Sequence, residues 1–145
     1  MRPLLRIATA GLLLAGGAIH LKLYRDGYRS FPNANLGRSF LLNAAGGLVM
    51  AVVVLVWRSR LAILAALGLV NATLVGFAAS RSSRGIFGFT ESGFQPSPEA
   101  ALSLVVEIAA GALLVGLLAL GATDGRSTPP TRASVDEPVP LTKPA

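Results

Sequence analysis

His20, Asn43, Asn71 and Glu107 are the side chains in this sequence that hydrocarbon tolerates worst, and each lies inside a long apolar run. Glu107 is the sharpest of them. An ionised carboxylate near the middle of a bilayer costs at least ~2.5 to 3.5 kcal/mol, so Glu107 is expected to be neutral or paired. His20 and the Lys and Arg residues at the ends of the runs are the partners within its reach. Intramembrane carboxylates and histidines build proton relays and ligand sites. The plainer reading is a neutral Glu107 that hydrogen-bonds Asn71 or Asn43 and fixes helix packing. His20, the only histidine, is then a hydrogen-bonder near a helix end.

Other chemistries find little support. A hydrolytic dyad of Ser103 with His20 has no local motif behind it. One histidine cannot ligate a haem from both sides, and a zinc ion held by His20, Glu107 and neutral amides would have a poor ligand set. The chain has no cysteine, which removes disulfides, thiolate metal sites and cysteine nucleophiles. The glycines of "AGG" and "AAGG" lie inside apolar runs, where they serve packing rather than a phosphate-binding loop. No cofactor and no metal is expected, and an enzyme is the least supported class.

The elements that position these residues follow from composition. Of 145 residues, 52% are hydrophobic and 14% charged, too apolar for a soluble domain of this size. Four runs, about 4 to 24, 37 to 57, 61 to 80 and 100 to 121, each approach the ~20 residues that cross a ~30 Å hydrocarbon core as a helix. The expected fold is all-α: an integral membrane four-helix bundle over residues 1–121, followed by a disordered Pro/Thr-rich tail over 122–145. A cleavable signal peptide over residues 1 to 19 is the alternative for the first run, but that run continues past "LAGGA" into "IHLKLY", longer than a signal core.

Runs two and three are joined only by "RSR", so they form an antiparallel hairpin. The other two connections share the opposite end. "RDGYRSFPNANLG" is rich in turn residues. "RSSRGIFGFTESGFQPSP" carries Phe87, Phe89 and Phe94, suited to the headgroup level or to packing on the bundle mouth. In "SPEA", Ser97 can cap the fourth helix, Pro98 suits its first position and Glu99 complements its dipole. The net charge of +6 would suggest nucleic acid in a soluble protein, but these arginines flank apolar runs and read as interfacial anchors, so no nucleic-acid partner is expected. Lys and Arg divide seven to six between the two sides. The expected orientation, both termini cytoplasmic, rests on Arg2 and Arg6 flanking the first run and on "RSR" as a cytoplasmic turn.

Counted from the long-loop end at ~1.5 Å per residue, His20 lies about 6 Å inside its helix, Asn43 about 9 Å, Asn71 about 14 Å and Glu107 about 11 Å. Helical neighbours at three and four residues place His20 with Leu13, Gly16, Gly17 and Tyr24, and Asn43 with Ser39, Gly46, Gly47 and Met50. Asn71 falls with Gly68, Val75 and Ala79, and Glu107 with Ser103 and Gly111. Small residues let membrane helices approach closely, as in the run Gly68, Ala72, Gly76, Ser80. All four polar residues are therefore expected to face the bundle interior and converge beneath the long loops, with Tyr24 and Tyr28 at the interface.

The run "GAIHLKLYRDGYRSFPNANLGRSFLLNAAGG" resembles a group of small, uncharacterised four-span membrane proteins of high-GC Gram-positive bacteria. The likeness rests on Gly17 with His20 and Leu21, on Gly27 with Tyr28, and on Phe40 to Asn43, and "GIFGFTE" (85 to 91) is similar to the group's third-loop element. The matched pieces cover about a third of the chain. The layout is also loosely similar to DoxX-type four-helix membrane proteins, a likeness of span count and spacing. These resemblances imply a multi-pass protein of the actinobacterial cytoplasmic membrane and assign no catalytic residue. The leading functional reading is a structural or accessory subunit, partnered by the lipid bilayer and by a membrane protein or a second copy of the chain. The alternative is a small-ligand or proton-handling protein that uses the Glu107 and His20 site.

Overall fold

Backbone amides have no water to bond with in hydrocarbon, so an apolar run satisfies them within its own helix. The computed structural model describes residues 2–124. Among these it is all-helical, with α1 (Arg2–Asp26), α2 (Ala34–Val56), α3 (Arg60–Ser80) and α4 (Glu99–Asp124), and a 3-10 turn at Tyr28–Ser30. All four helices are long and apolar enough to cross a membrane. α2 begins three residues earlier than expected, capped by the Asn33 side chain, which accepts from the Asn35 amide. Ser59, the centre of "RSR", caps α3 by accepting from the Ala62 amide. At the start of α4 the Ser97 hydroxyl forms no capping bond among the described residues; the Pro96 and Pro98 carbonyls accept from Ala100 and Leu102, and the Glu99 carboxylate meets Lys22 of α1 at 2.8 Å. Residues 122 to 124, expected to belong to the tail, extend α4 through Asp124; the rest of the expected tail, 125–145, lies outside the described residues.

The helices form a ring in which α1 packs on α2 and α4, and α3 on α2 and α4, with no diagonal pair of Cα atoms within 8 Å among the described residues. Closest approach occurs where glycine removes a side chain. A Cβ on Gly47 would lie 2.6 Å from the Leu13 carbonyl oxygen, and one on Gly17 would lie 3.0 Å from that of Ala44. This backbone-to-backbone crossing of α1 on α2 supplies dispersion contacts, the main attraction between helices when lipid is as apolar as the side chains. The expected close approach along Gly68, Ala72, Gly76 and Ser80 is corrected: Gly68 and Gly76 have open space where a Cβ would stand.

The two halves of the bundle differ. The half nearest the α2–α3 turn is solid, with a core of Ala10, Leu13, Ala51, Val54, Ile63, Ala66, Val70, Ala110, Leu114 and Leu117. The arginines there cap helix C-termini. Arg6 donates to the Val54 carbonyl at 2.6 Å, Arg60 to Gly121 at 2.9 Å and Arg2 to Leu120 at 2.5 Å. Cations at that end complement the carbonyl-rich termini of α2 and α4. The half beneath the long loops holds the polar residues and is not filled.

Candidate functional site

The packing registers place side chains from neighbouring helices in common layers. α1 and α4 run antiparallel with Gly16 against Glu107, whose Oε1 would lie 3.0 Å from a Cβ at that glycine. One turn nearer the loops, the same register brings His20 of α1 level with Ser103 of α4. The α1–α2 register that joins Gly17 to Gly47 sets Phe40 beside His20, ring centroids 5.5 Å apart. Between α2 and α3, Asn43 donates a short hydrogen bond to Thr73, whose hydroxyl in turn donates to the Leu69 carbonyl at 3.0 Å.

Above that bond α2 and α3 part around a cavity of about 410 Å³. All four helices and both long loops contribute to its wall. His20, Phe40, Asn43, Gly76, Phe89 and Ser103 mark its extent. At Leu42 and Ala72, both exposed, the wall reaches the outer surface between α2 and α3. Volume, apolar lining and a few inward polar groups are the features of small-molecule pockets, which span ~300 to 1,000 Å³.

The loops close the cavity from above. Ile86 and Phe89 exchange two backbone hydrogen bonds of 2.9 Å, and the two residues between them, Phe87 and Gly88, have φ of 54° and 75°. Positive φ at both central positions is the requirement of a type I′ turn, which glycine meets easily and phenylalanine does not. The turn directs Phe87 and Phe89 to the cavity wall. Phe89 meets Tyr28 and Phe31 edge-on at 5.4 and 5.3 Å, and Tyr28 stacks flat on Phe40 at 4.3 Å. The Tyr28 hydroxyl donates to Glu91 Oε2 at 2.9 Å. Burial, and then this hydrogen bond, push the phenol above its ordinary pKa.

Arg81 ties the same loop down. Its Nε donates to the Gly93 carbonyl at 2.6 Å, and its other two nitrogens to the carbonyls of Gln95 at 3.0 Å and Phe77 at 3.2 Å and to the Ser80 hydroxyl at 2.8 Å. The guanidinium also lies 3.5 Å from the Phe77 ring centroid. Burial lowers the Arg81 pKa, with Glu91 acting in the opposite sense.

Of the four residues expected to converge, His20 and Asn43 share the cavity wall. Glu107 lies one turn deeper, 5% exposed between α1 and α4, without a hydrogen bond or ion pair to any described residue. Of the two expectations for Glu107, neutral or paired, the pairing with His20, an arginine or an amide is not formed among the described residues. Asn71 is corrected: it is exposed on the outer surface, and its Nδ2 donates to the Leu67 carbonyl of its own helix at 2.9 Å. Tyr24 is half-buried over Gly37, and Tyr28 forms part of the wall rather than a free interfacial ring. Sequence reasoning gave Phe40, Arg81 and Glu91 no place in a site; Gly88 marks a turn in the loop, but nothing local says that it folds inward. Among the described residues no three metal-ligating side chains cluster. No protein-family model, curated protein or solved structure matches the chain.

Proposed function

We propose that this chain is a multi-pass protein of the cytoplasmic membrane that binds a small apolar molecule in the cavity beneath its long loops. The observation that carries the reading is the cavity itself: about 410 Å³, bounded by every element and reaching the bundle surface between α2 and α3. An apolar solute dissolved in the bilayer would enter through that side. Phe87 supports the reading, since a non-glycine residue held at positive φ and turned to the cavity wall is strain retained at a closing loop. In this account both termini are cytoplasmic, the cavity lies in the outer half of the membrane and the protein is a binder rather than an enzyme.

The test is protein-dependent binding of naphthalene by the full chain in lipid nanodiscs, read against empty discs. Saturable binding with one site per chain supports the proposal. Uptake that only follows lipid content contradicts it. One observation favours the accessory role as a second reading. Gly68 and Ala72 form an open, small-residue strip on the outer side of α3, a surface onto which a helix of another membrane protein or a second copy could pack.

A further inference from the structure

Two polar atoms in the cavity wall have no hydrogen-bond partner among the described residues. His20 is 8% exposed, and its Nδ1 lies 2.9 Å from the Gly16 carbonyl oxygen. A carbonyl only accepts, so Nδ1 carries the hydrogen, and the neutral ring in that tautomer presents Nε2 as a bare acceptor. Among the described residues Nε2 has no partner, and no carboxylate lies within ion-pair distance of the ring. Ser103, 6% exposed, is the second. Hydroxyls within helices ordinarily return to a carbonyl one turn back. Thr9, Ser39, Thr73 and Ser80 all do so here, donating to Leu5, Leu36, Leu69 and Phe77. Ser103 does not, and its hydroxyl shares the cavity wall with His20. No side-chain nitrogen or oxygen of a buried or half-buried described residue is both unpartnered and sealed from access, so the free atoms at His20 and Ser103 are reachable.

The cations near the cavity are committed elsewhere. Arg81 spends every guanidinium nitrogen on its loop and helix end, and Lys22 is held by Asp26 at 2.6 Å and Glu99 at 2.8 Å. Arg81 is the one cationic residue among the described residues that line the cavity, so no uncommitted cation stands in its wall. The wall beside His20 is flat and aromatic, formed by Phe40 on Tyr28 with Phe89 edge-on.

Resting on the ligand-binding reading above, we infer that the occupant is a neutral, flat, phenolic lipophile whose hydroxyl donates to His20 Nε2 and accepts from Ser103. The rings of Phe40 and Phe89 flank its body. A donor is required because Nε2 can only accept. A methyl ether of the same shape leaves Nε2 without a partner and forfeits that bond.

The experiment compares 2-naphthol, 2-methoxynaphthalene and naphthalene on the full chain in nanodiscs, with empty discs subtracted. The expected result is binding of 2-naphthol about tenfold tighter than of the ether. That ratio should fall to about one in His20→Phe, whereas Ser103→Ala removes a donor from which the naphthol and the ether oxygen both accept, so it should weaken both probes and keep the ratio. Ser103→Ala removes a single oxygen and should erase the preference for the ether over naphthalene, a readout that stands even where His20→Phe does not fold. Equal, saturable binding of all three probes overturns the hydroxyl site and leaves the cavity reading standing. A tenfold ratio that persists in His20→Phe, or a preference for the ether over naphthalene that persists in Ser103→Ala, also overturns it, because the oxygen is then recognised elsewhere. Absence of saturable binding by any probe overturns the cavity reading, and the phenol inference with it.

Discussion

Gly47→Ala would put a methyl group where α1 and α2 touch backbone to backbone. Its Cβ would stand 2.6 Å from the Leu13 carbonyl oxygen, 3.1 Å from Gly17 Cα and 3.2 Å from Gly17 N. All three atoms belong to a helix backbone, so no side-chain rotation relieves the overlap. A carbon and a carbonyl oxygen rest at about 3.3 Å or more, so the helices must separate by about 0.7 Å. A gap of that order forfeits roughly a quarter to a half of each dispersion contact along the crossing. Overpacking of this kind costs about 1 to 3 kcal/mol. Alanine recovers up to ~1 kcal/mol over glycine through helix propensity, leaving a net loss of up to about 2 kcal/mol, and a deficit of about 1 to 3 kcal/mol against an alanine placed in open space. Gly68→Ala is the control, since nothing lies within 4 Å of its Cβ. It should gain up to ~1 kcal/mol by the same propensity. Unfolding of both full-length variants in one detergent, followed by helical circular dichroism, reads the difference. If Gly47→Ala is as stable as Gly68→Ala, the close crossing of α1 on α2 is wrong.

Three further outcomes follow from the same geometry. Glu107 has no cation to lose, so Glu107→Gln should change stability by less than ~1 kcal/mol and leave naphthalene binding intact; loss of binding with the fold preserved would place Glu107 in the site. The Tyr28 phenol, raised by burial and by its bond to Glu91, should ionise at lower pH in Glu91→Ala, read by phenolate absorbance in a Tyr24→Phe background. Because the folded value is the higher one, this contact contributes fully to stability below the unfolded value of ~10 and fades as pH climbs through the folded value; an unchanged titration would remove Glu91 as the partner. The chain has no cysteine, so Ser59→Cys and Ser92→Cys report orientation cleanly. A membrane-impermeant maleimide applied to intact cells should label the second and spare the first, and the reverse pattern would invert the proposed topology.

The span count was legible because each apolar run has the length of a bilayer crossing, and the helices end within a few residues of where turn residues and arginines appear. The stripe of Leu13, Gly16, Gly17 and His20 was also legible, since all four are buried as their spacing implied. Asn71 was not. A helix apolar on every side offers no polar face to fix its rotation, and an amide that bonds its own Leu67 carbonyl can face outward at little cost. Gly68 and Gly76 misled for a related reason: small residues permit close approach without enforcing it. The cavity had no local signature, because it arises from the parting of α2 and α3 and from a loop folded across the gap. Ser103 was noticed beside Glu107, yet its missing intrahelical bond is a property of the folded chain alone.

Gly76 lines the cavity and has open space at its Cβ, so Gly76→Leu should fill the site without moving backbone, while Gly68→Leu adds the same side chain on the outer surface. Native mass spectrometry of the full chain released from its own membranes, as wild type and as these two variants, tests ligand binding most directly. The account predicts a bound small molecule of constant mass on the wild type and on Gly68→Leu, and its loss from Gly76→Leu. The same occupancy on Gly76→Leu, or bare protein throughout, would contradict it.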